Sequence, residues 1–384
     1  MYVRGTVPLR NPVSIRNPLT IMGGFDDAWN ESSQGMARLS CSTLDGGSVF
    51  VVEQTDFELK NLRIEHTGTG SHTLIDAREG SVTIGHSNMS SVGGVELSVI
   101  RAVGSTVRVD TAEITVGSAL TARFLDMTDG TLKLTSSSLK ASPTVSMVDA
   151  IRLTGSVADI TGVRMNLTPA LSLSALYART STVRIDRTMV YMSGGISSCR
   201  FVSLDSSNAR ITSVYMDVEW NGMLELFGQS GSSRMDLAHI TALLRSTETT
   251  FLSSRSAQYS LLNSIVVSER SGNVTLIRGS GKPAVDSLAG NNIWGFSVLY
   301  DDGSVRSASV AALNGFVRPS VPNISEAPGI TFSAEVKGMR RLAAGSACVD
   351  AAIPLDWVSS TDVLGGPRPS VGSGNRPDIG AEEL

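Results

Sequence analysis

Cysteines and aromatic residues are both scarce in this sequence. Phe, Trp and Tyr make up 5% of the 384 residues, and the three cysteines, Cys41, Cys199 and Cys348, are widely separated with no CxxC spacing. An odd number of scattered cysteines cannot pair completely within one chain, so we expect buried free thiols instead of a disulfide framework or a metal site. The low aromatic content indicates an aliphatic core.

Long apolar runs and a strong charge excess are missing too. No run of 18 apolar residues occurs, so we expect no transmembrane segment in this chain. The net charge of −4 gives no electrostatic reason to expect a nucleic-acid partner. No secretion leader is visible. Because strand-like sequence begins directly at Met1, we expect the native protein to have an N-terminal part that precedes it.

The sequence does contain a repeat of 24 to 26 residues. Three columns of apolar residues recur at this spacing, and no polar residue interrupts them. A fixed repeat with three short apolar segments predicts a solenoid. The first column is Phe50, Ile75, Ile100, Leu125, Ile151, Leu176, Val202, Leu226, Leu252 and Ile277; the second is Leu59, Ile84, Val109, Leu134, Ile160, Ile185, Ile211, Met235 and Leu261; the third is Ile64, Met89, Ile114, Leu139, Met165, Val190, Met216, Ile240 and Val266.

Each repeat contains short strands separated by polar corners. The segments Val107–Val109 and Ala112–Ile114 have the two-residue alternation of strands with one buried face, and Asp110-Thr111 between them suits a sharp bend. The first residue after a corner is usually small, as a narrow triangular cross-section requires. The predicted fold is all-β: a right-handed, single-stranded parallel β-helix with three sheets and about 25 residues per coil.

The regularity of the repeat divides the chain into three parts. We expect irregular N-terminal coils in residues 1–48, regular coils in 49–280, and a last coil with an irregular, folded-back capping tail in 281–384. A cap is expected because an open edge of parallel strands templates aggregation. Asp76, Arg101, Asp126 and Arg152 follow the first column on four successive coils, which predicts a stabilising ladder of alternating charges.

Both ends of the chain resemble one family. LTIMGGFDDAW at 19–29, followed by Arg38 and LDGG at 44–47, is similar to the opening segment of bacterial surface proteins with a pectin-lyase-like β-helix. NNIWG at 291–295 resembles the last coil of that family, and RRLAAGSACVDAAIP, GGPRP and RPDIGAEEL resemble its terminal DIGA-E signature. The resemblance implies a secreted or surface-anchored bacterial protein, often an adhesin or autotransporter-like passenger, and it implies no single activity.

Catalysis by a β-helix that degrades polysaccharides requires carboxylates on neighbouring coils. No outward column carries carboxylates on two successive coils: Asp110, Asp186 and Asp236 share a column but lie two or more coils apart. The paired acids Asp26-Asp27 and Asp301-Asp302 lie in terminal segments. We therefore expect no catalytic residues and no cofactor.

A metal site is also not expected. His66, His72 and His86 lie on adjacent turns, but their spacing is loose and falls in a Gly-rich connection. This pattern is more typical of polar loop histidines than of metal ligands.

The strongest candidate for binding is one side of the later coils. Arg184, Arg210 and Arg234 are expected at the same outward position on three consecutive coils, near Tyr191, Tyr215 and His239 across the corner and Trp220 in the following loop. Basic and aromatic groups together suit an acidic glycan or an anionic partner surface. Two local explanations stay open: Asp186 and Asp236 pair with Arg184 and Arg234, and the apolar groups form the seat of the C-terminal tail.

The predicted function is that of a non-catalytic, adhesin-like protein at the bacterial cell surface or outside the cell, which binds a glycan or a host or cell-surface protein. One alternative is a carbohydrate-active enzyme, a polysaccharide lyase or glycoside hydrolase, with a site built from loops. The other is a structural spacer that lifts another domain off the cell surface. The ligand and the oligomeric state are not predicted.

Overall fold

The computed structural model describes residues 1–9, 11–24, 36–43, 47–255, 258–280, 283–285, 287–332, 339–369 and 376–383. Asp26-Asp27 and half of the family-like opening, residues 25–29 and 44–46, lie outside these ranges. The chain is all-β, with parallel coils of about 25 residues stacked into a β-solenoid, so the predicted fold class is confirmed. It forms two compact units, residues 1–182 and 183–384, which are described separately.

Unit 1 consists of three stacks of parallel strands. The first stack is β2 (Val13–Ile15), β5 (Gly47–Glu53), β8 (Ser71–Arg78), β11 (Glu96–Val103), β14 (Thr121–Thr128), β17 (Met147–Thr154) and β20 (Ser172–Arg179); the second is β3 (Leu19–Met22), β6 (Asp56–Lys60), β9 (Ser81–Gly85), β12 (Thr106–Asp110), β15 (Thr131–Thr135) and β18 (Val157–Thr161); the third is β1 (Thr6–Leu9), β4 (Ala37–Thr43), β7 (Leu62–Gly68), β10 (Asn88–Val92), β13 (Glu113–Gly117), β16 (Ser138–Ala141) and β19 (Arg164–Leu167).

The predicted apolar columns are the core of unit 1. Ile75, Ile100 and Leu125 are direct neighbours in the first stack and are fully buried. The second and third columns are likewise in register, for example Val109 beside Leu134 and Ile114 beside Leu139. Each strand lies about 4.8 Å from the next, so each apolar side chain contacts its copies above and below.

Serines at the corners join successive coils. The Ser137 hydroxyl donates to the carbonyl of Thr135 at 2.6 Å and accepts the Ala112 N–H of the preceding coil at 3.1 Å. Ser87 does the same with Gly85 and Leu62. A small residue after the corner therefore fits the cross-section and also satisfies a buried backbone donor.

The charge ladder is present on the outward face of the first stack. Asp76 lies beside Arg101, Arg101 beside Asp126, and Asp126 beside Arg152. Arg101 donates to both carboxylate oxygens of Asp76, at 3.3 and 3.0 Å. Because Arg101 is partly exposed, we expect a contribution of about 1 kcal/mol or less from this pair.

His66 and His72 lie on strands β7 and β8, not in a loop, and both are buried. Their rings meet edge to face at 4.7 Å between centroids, and Nδ1 of His66 is 2.8 Å from the Ser91 hydroxyl. Burial, with a smaller contribution from His72, lowers the pKa of His66 to about 4. No group of three or more His, Cys, Asp or Glu suited to a metal ion occurs in the described part of the chain.

Unit 2 is also built from parallel coils, with longer strands. β21 (Thr182–Gly194, in this unit from Val183), β23 (Asn208–Trp220) and β25 (Arg234–Arg245) each run through the second and third stacks without a break. β27 (Tyr259–Leu262) and β30 (Leu288–Ala289) then form the second stack, and β28 (Ile265–Ser268) and β31 (Asn292–Trp294) the third. The first stack is β22 (Ser198–Asp205), β24 (Met223–Ser230), β26 (Glu248–Ser254), β29 (Asn273–Gly279) and β32 (Val298–Asp301), which turns back into the antiparallel β33 (Arg306–Ser307).

The predicted columns are wrong in one coil of unit 2. Val202 lies beside Phe227 instead of Leu226, Ile211 beside Leu237 instead of Met235, and Met216 beside Ala242 instead of Ile240. In the second and third columns the slip is two residues, which keeps an inward position inward because side chains alternate with a period of two. In the first column the slip is one residue. Leu226 and Phe227 are both fully buried, so hydrophobicity does not distinguish them.

The tail follows the last coil and begins as a cap. Helix α1 (Val310–Val317) precedes a segment whose backbone pairs with β31, with the Ile293 N–H donating to the Ile324 carbonyl and the Ile324 N–H to the Asn291 carbonyl. A short antiparallel pair, β34 (Ile330–Phe332) and β35 (Arg340–Leu342), comes next. This segment of the tail therefore covers the edge of β31, as is expected of a cap. None of the described helices has the length and apolar character needed to cross a membrane.

Truncation of a core residue tests whether the apolar columns stabilise the fold. Leu134→Ala removes a fully buried side chain that contacts two neighbouring coils, so we expect a loss of roughly 2–5 kcal/mol in unfolding free energy. Chemical denaturation measures it. Lys133→Ala on the same strand, an exposed position, is the matched control and should change stability by about 0.5 kcal/mol or less; equal losses in both variants would contradict this packing.

The buried histidine pair makes stability depend on pH. The pKa of His66 is about 4 in the folded chain against 6.5 in the unfolded one, so its contribution is present above pH 6.5 and is lost as pH falls towards 4. The full loss for this group is roughly 3 kcal/mol. Thermal unfolding of wild type, His66→Asn and His86→Asn between pH 7 and 4 measures it: only the His66 variant should lose part of the pH dependence.

Candidate functional site

The predicted aromatic flank (Tyr191, Tyr215, Trp220 and His239) lies largely under the C-terminal tail. Tyr215 is 1% exposed and belongs to an apolar cluster that joins solenoid and tail. Its hydroxyl accepts the N–H of Arg340 at 3.0 Å, and the Tyr191 ring lies 6.0 Å away. The remaining buried members of the cluster are Leu243, Ile265 and Val267 from the solenoid and Met339, Cys348, Ala352, Val363, Ile379 and Ala381 from the tail. This side of the coils is the seat of the tail.

Trp220 does not present a stacking surface. It is fully buried, and its indole N–H donates to the Ser197 carbonyl at 3.3 Å. Its ring occupies the space beside Gly195, where an added Cβ would lie 1.8 Å from a ring carbon. The predicted stacking roles of Trp220 and Tyr215 therefore disagree with their burial.

The three predicted arginines do not form one stripe. Between β23 and β25 the register places Arg234 beside Asn208 and Arg210 beside Asp236. Arg234 donates to Asp236 at 2.9 Å, the local pairing considered from the sequence. Arg184 is exposed. Because the register of this coil slips by two residues, Arg234 does not lie at the outward position that the repeat predicts for it.

Arg210 has a partner that comes from the tail. Its guanidinium carbon lies 5.0 Å from the centroid of the Trp357 ring, which is a cation–π contact. Trp357 follows the terminal Asp-Ala-Ala-Ile-Pro motif by three residues. The sequence offered no signal for this contact, because the tail has no periodicity from which its path can be read.

His239 is a corner residue buried beneath the tail. Its φ of 52° places it in the left-handed region, like Ser213 and Asn263 at the neighbouring corners. Nε2 lies 3.2 Å from the Asn263 amide nitrogen and Nδ1 3.1 Å from the Gly380 carbonyl. Nδ1 also lies 2.9 Å from a guanidinium nitrogen of Arg368. Burial, reinforced by Arg368, holds the pKa of His239 well below its usual value, so the ring is neutral.

The terminal motifs of the tail meet in a buried polar network, the tail lock (Asp362, Arg368, Asp378 and Glu383). Arg368 forms an ion pair with Glu383 and donates to the carbonyls of Gly380 and Ala381 at 3.2 and 2.7 Å. Asp362 accepts the Glu383 N–H at 3.1 Å, and Asp378 accepts the Asp350 N–H at 2.7 Å. Burial raises the pKa of Glu383 to about 7, against the attraction of Arg368. The signature motifs therefore hold the tail in place.

A different face of unit 2 carries an open groove. It is formed by outward side chains of the first stack and bounded by the turn between β32 and β33. One hollow of about 150 Å³ continues into another of about 420 Å³ that shares Arg278 and Asp301. We call it the hairpin groove; its principal polar residues are Glu248, Thr250, Thr275, Arg278, Asp301 and Arg306.

Asp301 lies between two arginines in this groove. In the sheet it is beside Arg278 of β29 on one side and Arg306 of β33 on the other. Register neighbours present their side chains on the same face. Adjacent strands are about 4.8 Å apart, so the two arginine Cα atoms are about 10 Å apart. Within the described part of the chain neither arginine has an ion pair, whereas Arg234 and Arg245 each bind a carboxylate.

The hairpin that bounds the groove is fixed by its own acids. Asp301 accepts the Gly303 N–H at 2.9 Å. Asp302 accepts the N–H groups of Val305 and Ser304, at 2.7 and 2.8 Å, and these donors lower its pKa to about 2. The sequence alone identifies Asp301-Asp302 only as a pair of acidic residues in a terminal segment. Arg278 follows Ile277 as Arg101 follows Ile100. The outward column that predicts the charge ladder could therefore have identified Arg278.

Comparison of the sequence with protein-family models and with curated proteins gives no match. The family resemblance therefore rests on the motifs quoted above. The structure gives these motifs a physical role in the tail lock, which is independent of any function.

The tail lock makes Arg368 indispensable for tail docking. Arg368→Ala leaves the buried Glu383 without its counter-charge, and removing one partner of a buried pair destabilises by about 3–5 kcal/mol. Hydrogen exchange should show loss of protection at Ile379 and Ala381. Arg376→Ala, an exposed arginine of the same tail, is the control; unchanged exchange in the Arg368 variant would show that the lock does not hold the tail.

Proposed function

We propose that this chain is a non-catalytic glycan-binding β-solenoid that acts at the bacterial cell surface or outside the cell. The observation that supports it is the hairpin groove. Sugar hydroxyls both donate and accept, and the groove offers arginine donors, carboxylate acceptors and threonine hydroxyls on adjacent strands. Binding sites are typically concave, with a few fixed polar groups on a rigid scaffold.

The proposal places the ligand at the hairpin groove instead of the aromatic flank. A ligand at Tyr215 or His239 would have to displace the tail, because both side chains are 1% exposed beneath it. The groove residues Glu248, Arg278 and Arg306 are exposed. A host or cell-surface protein is the alternative partner for the same surface.

An enzymatic role is the second candidate, favoured by one observation. Glu248 and Asp301 both line the groove, and glycoside hydrolases use a pair of carboxylates. Release of reducing ends or unsaturated sugars from polysaccharides, abolished in Glu248→Gln, would establish this role. Absence of both glycan binding and turnover would favour a structural spacer.

Filling the groove tests the binding proposal. Thr250→Trp puts a large ring into the 150 Å³ hollow, so we expect a wild-type glycan-microarray signal to fall at least about tenfold. Thr83→Trp, at an outward position of unit 1, is the matched control and should bind like wild type. Equal binding by wild type and Thr250→Trp would rule the groove out as the glycan site.

A further inference from the structure

The arrangement of charges in the hairpin groove indicates what kind of ligand it selects. Two guanidinium groups, from Arg278 and Arg306, flank the carboxylate of Asp301, and Glu248 lines the same hollow. Arg255 adds a third in the continuation of the groove. The second acid of the hairpin, Asp302, is already bonded to the N–H groups of Val305 and Ser304.

The arginines of this groove differ from others in the same unit. Arg234 binds Asp236, and Arg245 binds Asp217 and Glu269. By contrast, no ion pair to Arg278, Arg306 or Arg255 is formed by any residue that the structure describes. Their donors are therefore available to a ligand, although the chain as a whole has a net charge of −4.

The positions of the two flanking arginines favour one shape of anion. They lie on opposite sides of Asp301 and line the same hollow of about 150 Å³. A carboxylate presents two oxygens in one plane, which match one guanidinium in a bidentate pair and leave only its outer lone pairs for a second guanidinium. A sulfate or phosphate ester has three free oxygens, so it can accept from two guanidinium groups that approach from different strands.

We propose that the hairpin groove binds a glycan carrying a tetrahedral oxyanion ester, sulfate or phosphate, between Arg278 and Arg306. This inference rests on the proposed glycan-binding function and adds its ligand class. Asp301 accepts a neighbouring sugar hydroxyl and, by repulsion, limits how tightly the anion is held.

The test uses the full chain and immobilised dextrans of equal length, with binding measured by biolayer interferometry. Dextran sulfate and phosphorylated dextran are the tetrahedral probes, unmodified dextran is the neutral probe, and carboxymethyl dextran is the planar anion. We expect both tetrahedral probes to bind more tightly than carboxymethyl dextran, and the ratio between them identifies the preferred ester. Equal affinity for carboxymethyl and sulfated dextran would overturn the inference.

Variants separate this site from general attraction to a polyanion. Arg278→Ala/Arg306→Ala should weaken dextran sulfate binding at least about tenfold, because it removes two charge-assisted donors. Arg108→Ala/Lys133→Ala removes the same charge from two exposed positions of unit 1 and should have little effect. Asp301→Asn should tighten binding, because it removes the repelling carboxylate while an amide oxygen can still accept from Gly303. Similar losses in both double variants would contradict the site.

The outcomes also separate this inference from the broader proposal. If unmodified dextran binds, Thr250→Trp abolishes binding, and loss of both arginines changes nothing, then glycan binding stands and the oxyanion site falls. If no probe binds to the wild-type chain, both fall. Circular dichroism of every variant verifies that the fold is retained.

Discussion

Stacking of coils in register is the constraint on which this structure depends. With strands about 4.8 Å apart, a side chain at one position touches its counterparts on the coils above and below. A single polar residue in an inward column would therefore have no polar partner on the coil above or on the coil below. The corners obey the same rule, because the Ser137 hydroxyl satisfies the backbone N–H of Ala112 in the preceding coil. The repeat length of the sequence follows directly from this geometry.

The tail of unit 2 is held by a different kind of interaction. It has no repeat, so its motifs bond to one another: Arg368 to Glu383, Glu383 to Asp378, and Asp362 to the backbone of Glu383. A buried ion pair contributes little net stability compared with apolar packing, but it strongly disfavours arrangements in which either charge is unpaired. The lock therefore specifies how the tail docks, while the cluster around Tyr215 supplies the apolar burial.

The sequence predicted the coil well and did not predict the path of the tail, for physical reasons. The columns of unit 1 were correct because every coil there repeats the same three strands. In unit 2 the choice of Met235 over Leu237 failed because both positions face inward, and alternation does not tell them apart. The tail's path over Tyr215 and His239 depends on contacts more than 100 residues apart. The groove was missed because Arg306 joins it through an antiparallel turn outside the repeat.

The surroundings of Glu383 in the tail lock and of Asp301 in the hairpin groove also bear on catalysis. A glycosidase acid must be a carboxyl that stays protonated near neutral pH, and burial is the usual means. Glu383 has such a raised pKa, about 7, yet its oxygens are bonded to Arg368 and to the Asp378 N–H inside the lock. In the groove Asp301 lies between Arg278 and Arg306 and accepts the N–H of Gly303. A carboxylate between two guanidinium groups is placed to accept hydrogen bonds from sugar hydroxyls, which agrees with the binding role proposed for the groove.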